Sequence, residues 1–300
     1  MFTRTILAGG ALIALAACGA PAERAPETLP ARIAGIGLQH PESVLYDSAQ
    51  DQYVVSNING DPLAKDGNGF ISRIKPTGEI VALKWIDGAA PNVTLNAPKG
   101  MAVVGDTLFV ADIDAVRRFD LHTGAPLGAV DIPQATFLND MAAGPDGTVY
   151  VTDMGVKAGK GGTMDSGTDA VYRLTAHGAE AIVTGPNLGR PNGITVGPAG
   201  LTVVTMGSGS IYRIDPATGE RTDLPIPDQG QLDGVVRLAD GTLLISSWQA
   251  QAVYRLSPEG RFTVAVDSVT SPADIGYDTK RGILLIPLLT KDEIVLRKVG

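Results

Sequence analysis

The sequence predicts an all-β fold, a six-bladed β-propeller of four-stranded antiparallel blades, and three observations predict it. One phrase recurs six times, its spacing is near 40 residues, and 37 glycines punctuate short apolar runs with few helical periods. In PNGITVGPAGLTVVTM, from Pro191, a polar residue precedes an apolar strand, a tight turn and a second apolar strand. The phrase returns as PESVLYDSAQDQYVVSNI from Pro41, PKGMAVVGDTLFVADI from Pro98, LNDMAAGPDGTVYVTDM from Leu138, LDGVVRLADGTLLISSW from Leu232 and PADIGYDTKRGILLIPLL from Pro272. Units that cannot bury their own faces must stack on one another, so the repeats form one domain.

Aligned on the residue after the leading Pro or Leu, the repeats place Glu42, Lys99, Asn139, Asn192, Asp233 and Ala273 in register, 57, 40, 53, 41 and 40 residues apart. A turn such as Asp240-Gly241 joins the first two strands of a unit. A third strand such as Ile211 to Ile214 follows, then a second turn carrying Gly78, Gly124, Gly178, Gly219 or Gly260, which supplies the positive φ of hairpin turns. The last unit holds only three strands, at 274–277, 283–289 and 293–298. An N-terminal strand at about 32–36 is expected to complete that blade, close the ring and cover its open edge.

Polar residue and second-turn glycine are 25 to 27 residues apart in the shorter units, but 36 from Glu42 to Gly78 and 39 from Asn139 to Gly178. The surplus falls in NGDPLAKDGNG (59–69) and GVKAGKGGTMDSGTD (155–169), expected as lid loops over the mouth where the ring positions converge. GVKAGKGG lacks the spacing of a phosphate-binding P-loop, and DGNG lacks the rest of an EF-hand.

Before the repeats, Arg4, the apolar run from Ile6 to Ala14 and Leu15-Ala16-Ala17-Cys18-Gly19 resemble a bacterial lipoprotein signal, and Cys18 is the only cysteine. The reading assigns 1–17 to a signal peptide, 18–30 to a lipidated Cys18 with a Pro-rich tether, and 31–300 to the propeller. It places the chain in the bacterial cell envelope, on the outer membrane and facing the periplasm, since Gly19 and not Asp follows the cysteine. The lipid is then its one membrane contact. A net charge of -8, without a basic patch interleaved with aromatics, argues against nucleic acid as a partner. The chain is expected to be a monomer taking a small-molecule ligand or substrate at the lid face.

Polar side chains at the head of each innermost strand have little company except one another. Glu42, Asn139, Asn192 and Asp233 offer two carboxylates and two amide carbonyls, hard oxygen donors that suit Ca²⁺. Zn²⁺, Mn²⁺ and Mg²⁺ are the other divalent candidates. Glu42, Asp233 and Asp274 against Lys99 leave two negative charges, which one such ion neutralises. No G-x-S-x-G elbow appears, and of the histidines only His40 lies near the mouth, so a serine triad is not expected. Trp85 and Trp248 are expected to pack.

Asn139-Asp140, Pro191-Asn192-Gly193 and Leu232-Asp233-Gly234 together resemble the gluconolactonase and regucalcin (SMP-30-like) family of six-bladed propellers, with kin among the paraoxonases and diisopropylfluorophosphatase. The resemblance runs from Arg32 onward. It implies Glu42, Asn139, Asn192 and Asp233 as metal ligands. It also implies hydrolysis of a lactone or related ester, with the ion polarising the carbonyl and a carboxylate taking a proton from water: Asp233 first, Asp140 second. Arg190 and the lid loops would then bind substrate, with Lys99 and Asp274. Three departures bear on this: Ser43-Val44 replaces the family's Gly-Pro, Lys99 occupies the second-blade ring position, and Asp274 sits one residue off the ring. Lys99 either captures a substrate carboxylate or phosphate, or pairs with Glu42 or Asp274 and competes with the metal. The rival function is a non-catalytic propeller that binds a small ligand or a protein around a structural metal.

Overall fold

The structure, a computed structural model, describes residues 1–2, 29–160 and 162–299. Most of the signal, Cys18 and most of the tether therefore lie outside the described residues. β1 (Arg32–Ile33) precedes blade 1, made of β2 (Pro41–Asp47), β3 (Gln52–Asn57), β4 (Phe70–Ile74) and β5 (Ile80–Asp87). Blade 2 holds β6 (Pro98–Val104), β7 (Thr107–Asp112), β8 (Ala115–Asp120) and β9 (Pro126–Asp131). Blade 3 holds β10 (Leu138–Ala143) and β11 (Val149–Asp153), then an inserted hairpin of β12 (Val156–Gly159) and β13 (Gly162–Asp165), then β14 (Ala170–Thr175) and β15 (Gly178–Thr184). A 3-10 turn at Pro186–Leu188 leads to blade 4, with β16 (Pro191–Gly197), β17 (Gly200–Thr205), β18 (Ile211–Ile214) and β19 (Arg221–Asp223). Blade 5 comprises β20 (Leu232–Arg237), β21 (Leu243–Ser247), β22 (Ala252–Leu256) and β23 (Phe262–Val266). Blade 6 comprises β24 (Gly276–Asp278), β25 (Ile283–Leu288) and β26 (Glu293–Lys298).

β1 pairs antiparallel with β26, Arg32 opposite Val295 and Ile33 opposite Ile294, so the N-terminal segment supplies the outer strand of blade 6. It stops at two residues instead of reaching 36 because Gly35 and Gly37 adopt φ of 68° and 96°, which turn the chain out of the sheet. Ile33 remains 2% exposed, packed with Tyr53, Leu285 and Ile294.

The apolar core is divided among neighbours. Met101, Val110 and Phe119 of blade 2 pack with Val54, Ile71 and Ile86 of blade 1. Leu244 and Val253 of blade 5 pack likewise with Leu284 and Val295 of blade 6. No blade buries its faces alone, which is why the repeats fold as one closed ring. Among the described residues no helix is long and apolar enough to cross a membrane.

Candidate metal centre

Each of the first five innermost strands opens on one paired residue and then breaks register. Pro41 pairs with Asn57, Pro98 with Asp112, Leu138 with Asp153, Pro191 with Thr205 and Leu232 with Ser247. Pairing resumes at Val44, Met101, Met141, Ile194 and Val235. The ring residue and its successor occupy the gap, where a bulge re-aims side chains that strict alternation would send to opposite faces. Hydroxyls on the second strand satisfy the freed backbone: Ser43 N donates to Ser56 Oγ (2.9 Å), Asp140 N to Thr152 Oγ1 (3.0 Å) and Gly234 N to Ser246 Oγ (2.8 Å). Thr152 and Ser246 in turn donate to the carbonyls of Asn192 and Ala273, at 2.6 and 2.8 Å, and so tie the bulge to the next blade. Glycine follows Asn192 and Asp233 because the next strand lies too close for a side chain: a Cβ at Gly193 would stand 2.2 Å from Asp233 O, and one at Gly234 2.4 Å from Ile275 N.

The ring that results is buried. Glu42, Asn139, Asn192 and Asp233 are 5, 4, 2 and 4% exposed. Glu42 Oε2, Asn139 Oδ1, Asn192 Oδ1 and Asp233 Oδ1 have no hydrogen-bond partner. An orphaned buried oxygen is costly, and four in one ring, two of them carboxylate, are donors of the kind that suits a hard divalent cation. In three of the four residues the other polar atom is engaged in a way that leaves these oxygens free. Trp248 Nε1 donates to Asp233 Oδ2 at 2.7 Å, and the Nδ2 groups of Asn139 and Asn192 lie 3.9 and 4.0 Å from Met154 Sδ. Among the described residues no three His, Cys, Asp or Glu side chains group as a metal site.

The charges show the same strain. Burial pushes the Glu42 carboxyl well above its usual range, reinforced by Asp233 and Asp274 and opposed by Lys99. Burial and Asp274 push Asp233 up to about 8, against the lowering effect of the Trp248 N–H. Lys99, 1% exposed, donates from Nζ to Pro62 O (3.1 Å) and Ala97 O (3.0 Å), and Nζ stands 4.2 Å from the Phe137 ring centroid. It forms no ion pair with Glu42 or Asp274, and burial lowers it to about 8.

Asp140 and Asp274 sit one step along the axis from the ring. Asp140 Oδ1 accepts from Met141 N (2.6 Å) and Oδ2 from Ile194 N (2.7 Å), so its carboxylate clamps blade 3 to blade 4. Asp274 Oδ2 accepts from Ser43 Oγ at 2.5 Å and joins blade 6 to blade 1. Both line a cavity of about 400 Å³ that follows the later residues of the innermost strands, toward the end of the channel away from the lids. Burial pushes Asp274 up to about 7 and raises Asp140 well above its usual range.

The insertions lean onto the following blade. The first is held by Lys65 to Asp114 (2.5 Å), Gly67 N to Asn96 Oδ1 (3.2 Å) and Lys99 to Pro62 O. The second is the β12–β13 hairpin, whose Asp165 pairs with Arg190 at 2.6 Å. Arg190 is therefore a hairpin anchor, partly exposed and off the ring. His40 donates its backbone N–H to Asp292 and does not join the ring.

Several residues were missed by reading the sequence. Met154 and Trp248 contact ring side chains across the register, and the hydroxyls of Ser56, Thr152 and Ser246 hold the bulges open. Asp112 Oδ1 accepts from Asn96 N and Ala97 N, and Asp153 Oδ1 from Phe137 N, fixing the approach to Lys99 and to Asn139. The signal for Asp112 and Asp153 lies in the repeat: VSN, VAD and VTD end the second strand in three successive blades.

Comparison with known proteins bears on the fold and the family. Solved structures that share the fold include a gluconolactonase from Xanthomonas campestris (18% identity, TM-score 0.67, covering 88% of this chain and 87% of that one), a calcium-binding protein, regucalcin, from Agrobacterium tumefaciens (16%, 0.63, 90% and 94%), and a catalytically inactive virginiamycin B lyase from Staphylococcus aureus with quinupristin (18%, 0.58, 85% and 94%). No curated protein sequence matches the chain. The model of the SMP-30/gluconolactonase/LRE-like region matches residues 67–281, most of the propeller, and the chain belongs to that family.

Proposed function

We propose that this protein is a metal-dependent hydrolase of lactones or related esters, with one divalent cation, Ca²⁺, held by Glu42, Asn139, Asn192 and Asp233. The observation that carries the proposal is the set of four partnerless buried oxygens at those residues. When bound, the ion supplies Lewis-acid polarisation of a carbonyl. The chain's own residues do the rest. Asp233 offers Oδ1 to the ion while Trp248 holds Oδ2 in place, and it is through Oδ2 that this carboxylate takes the proton of an oriented water. Met154 and Trp248 hold their ring partners in place, and the first insertion covers the Lys99 position through Pro62 O. Asp140 acts as a structural clamp, since both its oxygens already accept backbone N–H groups.

One observation favours the rival reading. Lys99 holds the first insertion down over a ring that is at most 5% exposed, which also suits a metal that only ties the blades together around a binding face. Metal analysis of the purified chain and hydrolysis of a lactone panel, beside Asp233→Asn, decide between them. Bound Ca²⁺ with turnover lost in the variant supports the hydrolase. Bound Ca²⁺ with no turnover above the variant on any substrate supports the binding protein.

The same proposal keeps the chain as a monomer tethered by Cys18 to the periplasmic side of the outer membrane, on the strength of the sequence alone. Labelling with a radioactive fatty acid, lost in Cys18→Ser, is the expected result.

A further inference from the structure

We infer that Met154 is a positioning residue that keeps the amide oxygens of Asn139 and Asn192 turned toward the cation site. The inference rests on the metal-centre reading above. An asparagine amide has nearly the same shape in either orientation, but only one presents an acceptor; the other turns a donor on a cation. Something must therefore recognise the N–H side. Met154 Sδ lies 3.9 Å from Asn139 Nδ2 and 4.0 Å from Asn192 Nδ2, on residues of two neighbouring blades, while both Oδ1 atoms remain partnerless. A thioether accepts and never donates, so it faces NH₂ and disfavours the flipped amide. It is also too soft to draw a hard cation away from the oxygens, as a carbonyl placed there would.

The backbone around Met154 is held on both sides. Its N–H donates to Phe137 O at 2.9 Å, and Asp153 Oδ1 accepts from Phe137 N at 2.9 Å and from Gly155 N at 3.0 Å. Gly155 then turns at φ 63°, against Asp169, to start the hairpin. Met206 holds the matching place in blade 4, with its N–H on Arg190 O at 3.1 Å, yet its sulfur makes no hydrogen bond among the described residues. The pair is a natural control.

The test uses the full chain with Met154→Leu, which keeps side-chain volume and removes the acceptor, beside Met206→Leu. Calorimetric titration of the metal-depleted proteins with Ca²⁺ should show about tenfold weaker binding for Met154→Leu, in line with the loss of a group that orients metal ligands. Met206→Leu should stay within about twofold, and the two metal-free variants should melt alike, since Leu and Met exchange readily in cores. A second readout needs no metal: hydrogen exchange of the Asn139 and Asn192 side-chain NH₂ groups should quicken several-fold in Met154→Leu only. Wild-type Ca²⁺ affinity in Met154→Leu, equal weakening in both variants, or unchanged exchange of the two amides overturns the inference. A wild-type chain that binds no Ca²⁺ removes the metal-centre reading, and the exchange measurement then decides the orienting role of Met154 by itself.

Discussion

In the ring of Glu42, Asn139, Asn192 and Asp233, each side chain keeps one buried oxygen without a partner, whereas Asp140, the residue after Asn139, and Asp274, the residue after Ala273 in blade 6, have protein donors. Both layers are buried, both are acidic, and both show raised carboxyl pKa values. Burial and titration alone therefore do not separate a ligand site from a structural clamp. Hydrogen-bond satisfaction does: the upper layer keeps four oxygens without a protein donor, and the lower layer holds blades 3, 4, 6 and 1 together through donors of its own.

The largest effect expected is on cation binding. Asp233→Asn should weaken Ca²⁺ by about 100-fold or more through loss of a ligand charge, while Asp274→Asn should lose less than about tenfold; parity between them would erase the distinction of layers. Stability should show the reverse. Asp140→Ala leaves the buried N–H groups of Met141 and Ile194 without acceptors and should lower unfolding free energy in urea by about 3 kcal/mol, with a smaller loss for Asn139→Ala.

A pH series sharpens the contrast further. The Asp233 carboxyl sits at about 8 in the metal-free fold and 3.8 in its ordinary state, so the folded chain binds the extra proton. Its contribution to stability is present below about pH 4 and is lost as pH rises through 8. The melting temperature of metal-free protein should therefore fall from pH 5 to pH 8, and saturating Ca²⁺ should flatten that fall while releasing protons. A fall of equal steepness with Ca²⁺ present would show that the lower pair, not the ring, dominates. The smallest effect belongs to Lys99→Met, which removes a neighbouring positive charge and should tighten Ca²⁺ several-fold, about fivefold, while freeing the backbone amides near Pro62 to exchange.

Much of this architecture is legible in the residues. The sixfold phrase reports the blades because each must present the same apolar strands to two neighbours, and lining up its leading Pro or Leu puts Glu42, Lys99, Asn139, Asn192 and Asp233 in one ring. The glycines after Asn192 and Asp233 are legible too, once the close approach of the next strand is known. What hides is the bulge. Strict alternation cannot tell where Asp140 and Asp274 point, and only the paired strands show that they belong to the lower layer. Met154 and Trp248 were obscured for a different reason: each acts through a side-chain contact, a thioether reaching into the next blade and an indole reaching back to the ring, that no spacing in the sequence marks. The N-terminal strand was foreseen at 32–36 and forms over Arg32–Ile33, where Gly35 and Gly37 end it.

Titration of the metal-depleted chain with Ca²⁺ at pH 7, for the wild type, Asp233→Asn and Asp274→Asn side by side, tests the central claim most directly. One ion per chain, lost in Asp233→Asn and retained in Asp274→Asn, is the predicted result. A wild type that takes up no ion, or an uptake lost equally in both variants, would contradict it.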